Sequence, residues 1–205
     1  MLSDGRQIGA DAVVLAVPAP EALRIAGPLL SPAERDGLAA VRYAPGLTVA
    51  AALCRAPGPR PLRILVPRAE GSPIACATLE AGLPSSRAPE GLGLALVRAT
   101  PGFAAAAQGA PAEAVAKELL GALDALRPGI QRAVEFSEVL RSPQASPRFD
   151  VGRYREIARF QRVQRDLRDG GRRLYFAGDY LVHPSFEGAV VSAERAVDAV
   201  CEDVL

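Results

Sequence analysis

The chain has 205 residues, 49% of them apolar, and a formal charge of +1 at pH 7. That composition supports a sizeable core and excludes global disorder, while the small net charge argues against general attraction to nucleic acid, membrane surfaces or acidic ligands. Cys54, Cys76 and Cys201 are spaced for neither a zinc site nor a disulfide framework, so buried thiols in a reducing cytoplasm are expected.

The turn signal "SDGR" followed by "ADAVVLAVP" reads as a hairpin running into a buried strand. Only Met1 and Leu2 precede that turn, so the chain is expected to begin inside an element whose first strand lies upstream. No basic-then-apolar leader opens it, and no run approaches the ~20 apolar residues of a membrane span. A short helix is expected at "PEALRIAG" and a better marked one at "SPAERDGLAAVR". In the latter, Ser31 reads as the N-cap, Pro32 fits the first helical position and Glu34 completes a capping box.

Five strand-like runs follow: "GLTVAAALC", "PLRILVP", "PIACATLE", "LGLALVR" and "RAVEFSEVL". The Pro/Gly-rich turns between them suit an antiparallel meander. A helix, "PAEAVAKELLGALDALRP", is inserted before the last run and stops at Pro128. From 150 onward the chain turns polar and helical, with an apolar stripe expected through Val151, Tyr154, Ala158, Phe160, Val163 and Leu167, and Gly170-Gly171 as its stop. Eight arginines lie between Arg153 and Arg173. They read as a solvated face with Glu156, Asp166 and Asp169 as partners; a nucleic-acid footprint is the competing reading.

The end of the chain carries the most chemistry. In "LYFAGDYLVHPSFEGAVVSAERAV" a buried strand ends, Gly178 lets backbone come close, and Asp179 places a carboxylate at the strand's carboxyl end, where ligands of open α/β sheets sit. Gly188, Ala189 and Val190 then open a helix whose free N–H groups and dipole favour negative charge.

This motif resembles the C-terminal flavin-binding motif of the FAD-dependent amine oxidoreductase family, which includes amine oxidases, protoporphyrinogen oxidases and carotenoid-type desaturases. "SDGRQIGADAVVLAVP", "LSPAERDGLAAVRYAPGLTVAAAL" and "SPRFDVGRYREIARF" are similar, in order and spacing, to further segments of that family. The resemblance implies an α/β (α+β-like) fold, with residues 1–44 and 151–205 as part of an FAD-binding domain. Residues 45–150 would form an antiparallel substrate domain with an inserted helix. It implies FAD as cofactor, with Asp179 touching the ribityl chain or pyrophosphate and Gly178 leaving room. Gly188, Ala189 and Val190 would lie under the pyrimidine end of the isoalloxazine, and Ala16, Val17 and Pro18 would pass near the cofactor. No metal is implied. The chemistry would be oxidation of a C–H or C–N bond in a small molecule by hydride transfer to flavin.

The family's G-x-G-x-x-G turn and its acidic ribose contact are absent, and the glycines of "EGLGLALV" lie in a strand run. A nucleotide-binding half is therefore expected upstream; a split gene, a truncated reading frame and a fragment each account for this. "TVAAAL" lacks the lysine that amine oxidases carry there, with Lys117 on the inserted helix instead. Ser185 stands where a tyrosine of the amine cage is expected, and the chain has no Trp. These departures disfavour simple monoamine oxidation. His183 is either a loop structural residue or a group near the ring, and Glu187 complements the helix dipole. The competing function is a non-catalytic interaction protein that kept the fold without the cofactor.

Overall fold

A computed structural model of the chain describes residues 5–81 and 87–204. The hairpin expected around "SDGR" rests on residues 1–4, which lie outside that range. The described residues form a mixed α/β fold of two compact units, one joining the chain up to Tyr43 with the stretch from Ser146, the other spanning Ala44–Ala145. No helix among them is long and apolar enough to cross a membrane.

The first unit begins with β1 (Val13–Leu15), α1 (Ala19–Ala26) and α2 (Pro32–Ala39). Ser31 caps α2 as its sequence signals: its Oγ accepts from the Glu34 N–H, and Glu34 accepts from the Ser31 N–H at 2.8 Å. Glu34 does more than cap. It is fully buried, accepts two bonds from the Arg172 guanidinium at 2.5 and 2.7 Å, and accepts a further one from Gln164. Burial alone would raise its pKa, but the bonds from Arg172 and Ser31 outweigh that and hold the carboxyl below its ordinary value.

The second unit carries β2 (Tyr43–Leu53), β3 (Leu62–Leu65), β4 (Ile74–Ala81) and β5 (Gly93–Ala99). It continues through α3 (Pro101–Ala106), α4 (Ala112–Leu126), α5 (Ile130–Ala133) and β6 (Val134–Pro147). Alternation along β2 buries Leu47, Val49, Ala51 and Leu53, and α4 contributes Val115, Leu119 and Leu123 to the same core. The sheet order is β3-β4-β5-β2-β6. Only β3-β4-β5 is therefore a meander; β2 pairs antiparallel with β5, Val49 opposite Val97, and lies between β5 and β6. The expectation of one continuous meander is corrected: turn chemistry links neighbours in sequence, but cannot say which side a strand arriving early will take. Of the two glycines assigned to a strand run, Gly91 instead takes a left-handed turn at φ 79°, and Gly93 starts β5.

The chain returns to the first unit with α6 (Arg153–Asp169), β7 (Leu174–Phe176) and α7 (Phe186–Val204). The buried face of α6 is Arg153, Ile157 and Phe160, whereas Val151 and Tyr154 are exposed. The expected apolar stripe is thus displaced. Arg153 and Gln164 occupy inward positions because each has a bond to make there: Arg153 to the Tyr180 carbonyl at 3.1 Å and Gln164 to Glu34. The strand expected to be buried at "AVVLAV" also differs. Val13 and Val14 are 46% and 43% exposed, since β1 pairs with β7 alone among the described residues. Cys54 and Cys201 are exposed and Cys76 is half-buried, so the expected buried thiols are not found.

Candidate functional site

β1 and β7 run parallel with Leu15 opposite Phe176, and the Ala177 N–H donates to the Leu15 carbonyl at 3.1 Å. Ala16-Val17-Pro18 and Ala177-Gly178-Asp179 therefore leave the same carboxyl end of the pair. Pro18, exposed, precedes the first residue of α1. Asp179, half-buried, opens a short 3-10 turn, Asp179–Leu181, on the way to α7. Gly188, Ala189 and Val190 lie near the start of α7; Gly188 is buried, Ala189 half-buried and Val190 43% exposed.

Both site glycines answer to space, not to backbone strain. The φ of Gly178 is 163°, ordinary extended backbone. A Cβ there would lie 2.7 Å from Cδ1 of the Tyr180 ring, and one at Gly188 would lie 3.0 Å from the His183 carbonyl carbon. The room beside Gly178 is thus taken by the chain's own Tyr180, and that beside Gly188 by the His183 backbone.

The start of α7 is held by Ser185. Its Oγ accepts from the Gly188 N–H at 3.0 Å, and its carbonyl accepts from the Ala189 N–H at 3.1 Å. His183 Nδ1 bonds the same hydroxyl at 2.8 Å, a partner its sequence motif does not reveal. The amides of Phe186 and Glu187 have no intrahelical acceptor, as the first turn of any helix requires, and Phe186 is 87% exposed. Deeper in the helix, the buried Ser192 accepts from the Gly178 N–H at 2.9 Å, tying the glycine-aspartate turn to α7.

Asp179 has no cation among the partners that move its acidity. Burial pushes the carboxyl up from its ordinary value, and backbone N–H groups of Tyr180 and of Asp179 itself offset this only in part. Its charge reaches two phenols. Tyr180, 1% exposed, is raised by burial, then by Tyr43 and Asp179, with Arg153 opposing. Tyr43 is likewise raised by burial, while its bond from the Ala19 N–H at 3.0 Å works the other way. That bond anchors the first residue of α1, just after Pro18. Arg153, buried, donates to Tyr180 and to Glu156, yet its Nε and the Tyr180 hydroxyl are buried with no hydrogen-bond partner among the described residues.

These residues fit a flavin's polar chain. A half-buried carboxylate served only by backbone amides keeps acceptor capacity for sugar-like hydroxyls. An accessible helix start with small residues leaves donors for a ring that gains negative charge. Ser192, Tyr43, Tyr180 and Arg153 support the site without having been singled out from sequence. Only Tyr180, adjacent to Asp179, carried a local signal.

A mixed α/β chain with a polar turn and a helix start at the carboxyl end of a parallel pair has the layout of cofactor-binding α/β proteins. The profile of the flavin containing amine oxidoreductases matches residues 1–201. The chain belongs to that family, whose cofactor is a flavin. No curated protein matches it in sequence. Among solved structures it is similar to a provisionally assigned protoporphyrinogen oxidase from Exiguobacterium sp. 255-15, at 18% identity and a TM-score of 0.69, covering 93% of this chain and 41% of that one. It is similar to cyclohexylamine oxidase from Brevibacterium oxydans IH-35A at 15% identity and a TM-score of 0.69, covering 99% and 45%. The PF1083 protein from Pyrococcus furiosus aligns at 12% identity and a TM-score of 0.60, covering 99% and 44%. The chain thus spans less than half the length of each.

Proposed function

We propose that this chain supplies the flavin-cradling and substrate-facing part of an FAD-dependent oxidoreductase that oxidises a C–H or C–N bond of a small molecule. The flavin, when bound, accepts the hydride. A nucleotide-binding half, on a separate or longer polypeptide, completes the cofactor site. Residues 1–44 and 151–205 form the partial FAD domain in this reading, and 45–150 the substrate domain. Asp179 accepts from the ribityl chain. Ala189 and Val190 face the pyrimidine end of the ring, and Pro18 borders the cofactor. Gly178 and Gly188 act by admitting Tyr180 and the His183 carbonyl, which set the turn and the helix start. Free thiols, two of them exposed, support a reducing, cytoplasmic setting.

The observation that carries the reading is Asp179: a half-buried carboxylate with no cationic partner among the described residues, at the carboxyl end of a parallel pair and bonded through its neighbour Gly178 to α7. The test pairs the chain with a polypeptide carrying a G-x-G-x-x-G half and measures FAD retention and fluorescence quenching. Asp179→Ala removes a charge-assisted bond worth about 1.5–3 kcal/mol, roughly a ten- to hundredfold loss of affinity. An Asp179→Ala pair that holds FAD as tightly as the parent would remove Asp179 from the site.

A further inference from the structure

The five-stranded sheet of the second unit has two faces, and its core accounts for one of them. Leu47, Val49, Ala51 and Leu53 of β2 join Ala95 and Val97 of β5 in the core that also takes the buried residues of α3, α4 and α5. Alternation turns Thr48, Ala50 and Ala52 to the other face, where the register sets them beside Arg98, Leu96 and Leu94 of β5. The outer face of an antiparallel sheet is ordinarily polar. Here Ala50, Ala52, Leu94 and Leu96 leave it apolar and half-buried.

Side-chain size and charge shape that face. Thr48, Ala50 and Ala52 make a low floor along β2, walled by Leu94 and Leu96 on one side and bordered by β6 on the other. Val139 of β6 packs on the core, so its neighbour Leu140, 53% exposed, stands on the open face as the second wall. The floor is about 14 Å long and its flanking strands are about 10 Å apart, too close for a helix about 10–12 Å across to lie between them. Arg98, exposed, marks the Thr48 end. Neither its guanidinium nor the Thr48 hydroxyl has a hydrogen-bond or ion-pair partner among the described residues. The carboxylates lie towards the other end. Glu80 is in register with Leu94, and so with Ala52, and it is already paired with Arg87. Glu138 lies towards that end as well, since the Cys54 N–H donates to the Ala133 carbonyl.

We propose that this trough binds a narrow small molecule with a carboxylate head and an extended apolar body. Arg98 and the Thr48 hydroxyl hold the carboxylate, while Ala50 and Ala52 floor the body and Leu94, Leu96 and Leu140 flank it. An apolar groove with a few placed polar groups is the usual form of a small-molecule site, the polar groups fixing orientation. The polarity of the trough fixes it here: cation at the Thr48 end, acids at the Ala52 end. The inference rests on the reading of residues 45–150 as a substrate domain, and it names the class of substrate that domain admits, a medium-chain carboxylic acid.

The test is titration calorimetry on the full chain, without flavin, using decanoate as the probe. Decanoate should bind saturably at one site, and decylammonium and butyrate, which lack the head and the body respectively, at least about tenfold more weakly. Arg98→Gln removes the charge-assisted bond and should weaken decanoate about tenfold or more. Ala50→Leu fills the floor and should abolish binding with far-UV circular dichroism unaltered; if that variant does not fold, Leu96→Glu takes its place. Arg195→Gln, on α7 of the other unit, should bind decanoate as the parent does. Absence of saturable binding, equal binding of decylammonium, or an Arg98→Gln variant with the parent's affinity overturns the proposal. A loss in Arg195→Gln matching that in Arg98→Gln also overturns it, by moving the site to the other unit. Because no flavin is present, a negative result removes the substrate class alone and leaves the FAD-retention assay to decide the cofactor reading separately.

Discussion

Ser192→Ala tests how the glycine-aspartate turn is held. The hydroxyl lies on the inner face of α7, 3% exposed, and takes the Gly178 N–H at 2.9 Å. Removing it leaves that N–H in a half-buried turn, at a cost of about 1–3 kcal/mol for the unpaired donor. Alanine returns up to about 0.7 kcal/mol through its higher helix propensity. The net expectation is a loss of about 1–2 kcal/mol, concentrated where the turn meets the helix. Hydrogen exchange is the right assay, because two compact units do not guarantee one unfolding transition. The Gly178 amide should exchange roughly 5- to 30-fold faster, and Ser192→Thr, which keeps the oxygen, should exchange near the parent rate. A Gly178 amide that exchanges at the parent rate in the alanine variant would refute the argument. The turn would then be held by the Tyr180 ring and not by the hydroxyl.

Two carboxylates should respond to pH with opposite signs. Glu34 is held below its ordinary value of 4.5, so its contribution is present above that pH and is lost as pH falls further; Glu34→Gln should remove this part of the acid loss in urea melts. Asp179 is raised above 3.8, so its charge opposes folding once pH exceeds that value; Asp179→Asn should raise the urea midpoint at pH 7 and not at pH 3. Gly188→Ala should destabilise by about 1–3 kcal/mol through overpacking against the His183 backbone, whereas Gly121→Ala in α4, with nothing within 4 Å, should stabilise by up to about 1 kcal/mol in the same melts. The arginines of α6 should divide. Arg162→Gln and Arg165→Gln should be near neutral, while Arg168→Gln should lower the melting temperature, because Arg168 pairs with Asp203 at 2.9 Å at a site where both side chains are under 20% exposed.

What could be read from sequence is mainly what neighbours in the chain decide together. Ser31, Pro32 and Glu34 lie within one turn, so the capping box was visible before any fold was known. The alternation of Leu47, Val49, Ala51 and Leu53 likewise marks a half-buried strand without its partner. The family motif around Asp179 was legible because its spacing is local. Failures arise where a residue's value depends on something far along the chain. Arg153 looked like one more solvated arginine, yet its acceptor is the Tyr180 carbonyl, 27 residues on. Ser192 is an ordinary helix serine until Gly178 supplies the N–H. The inward face of α6 was misplaced for the same reason, since hydrophobic periodicity cannot register polar residues that are buried to make bonds. Val13 and Val14 look like core by composition, but exposure depends on whether a neighbouring strand is there.

The Glu34–Arg172 pair has a further consequence, for the order in which the protein is made. Its partners are 138 residues apart, and the whole of Ala44–Ala145 lies between them. At roughly 5–20 residues per second, a ribosome needs roughly 7–30 s to go from one to the other. During that interval the contiguous unit is fully synthesised and can form its sheet. The first 43 residues, meanwhile, hold a helix whose inward carboxylate has only Ser31 to neutralise its cost. The early segment is therefore the one that nascent-chain chaperones would meet unfinished, and it is Arg172, late in translation, that closes it.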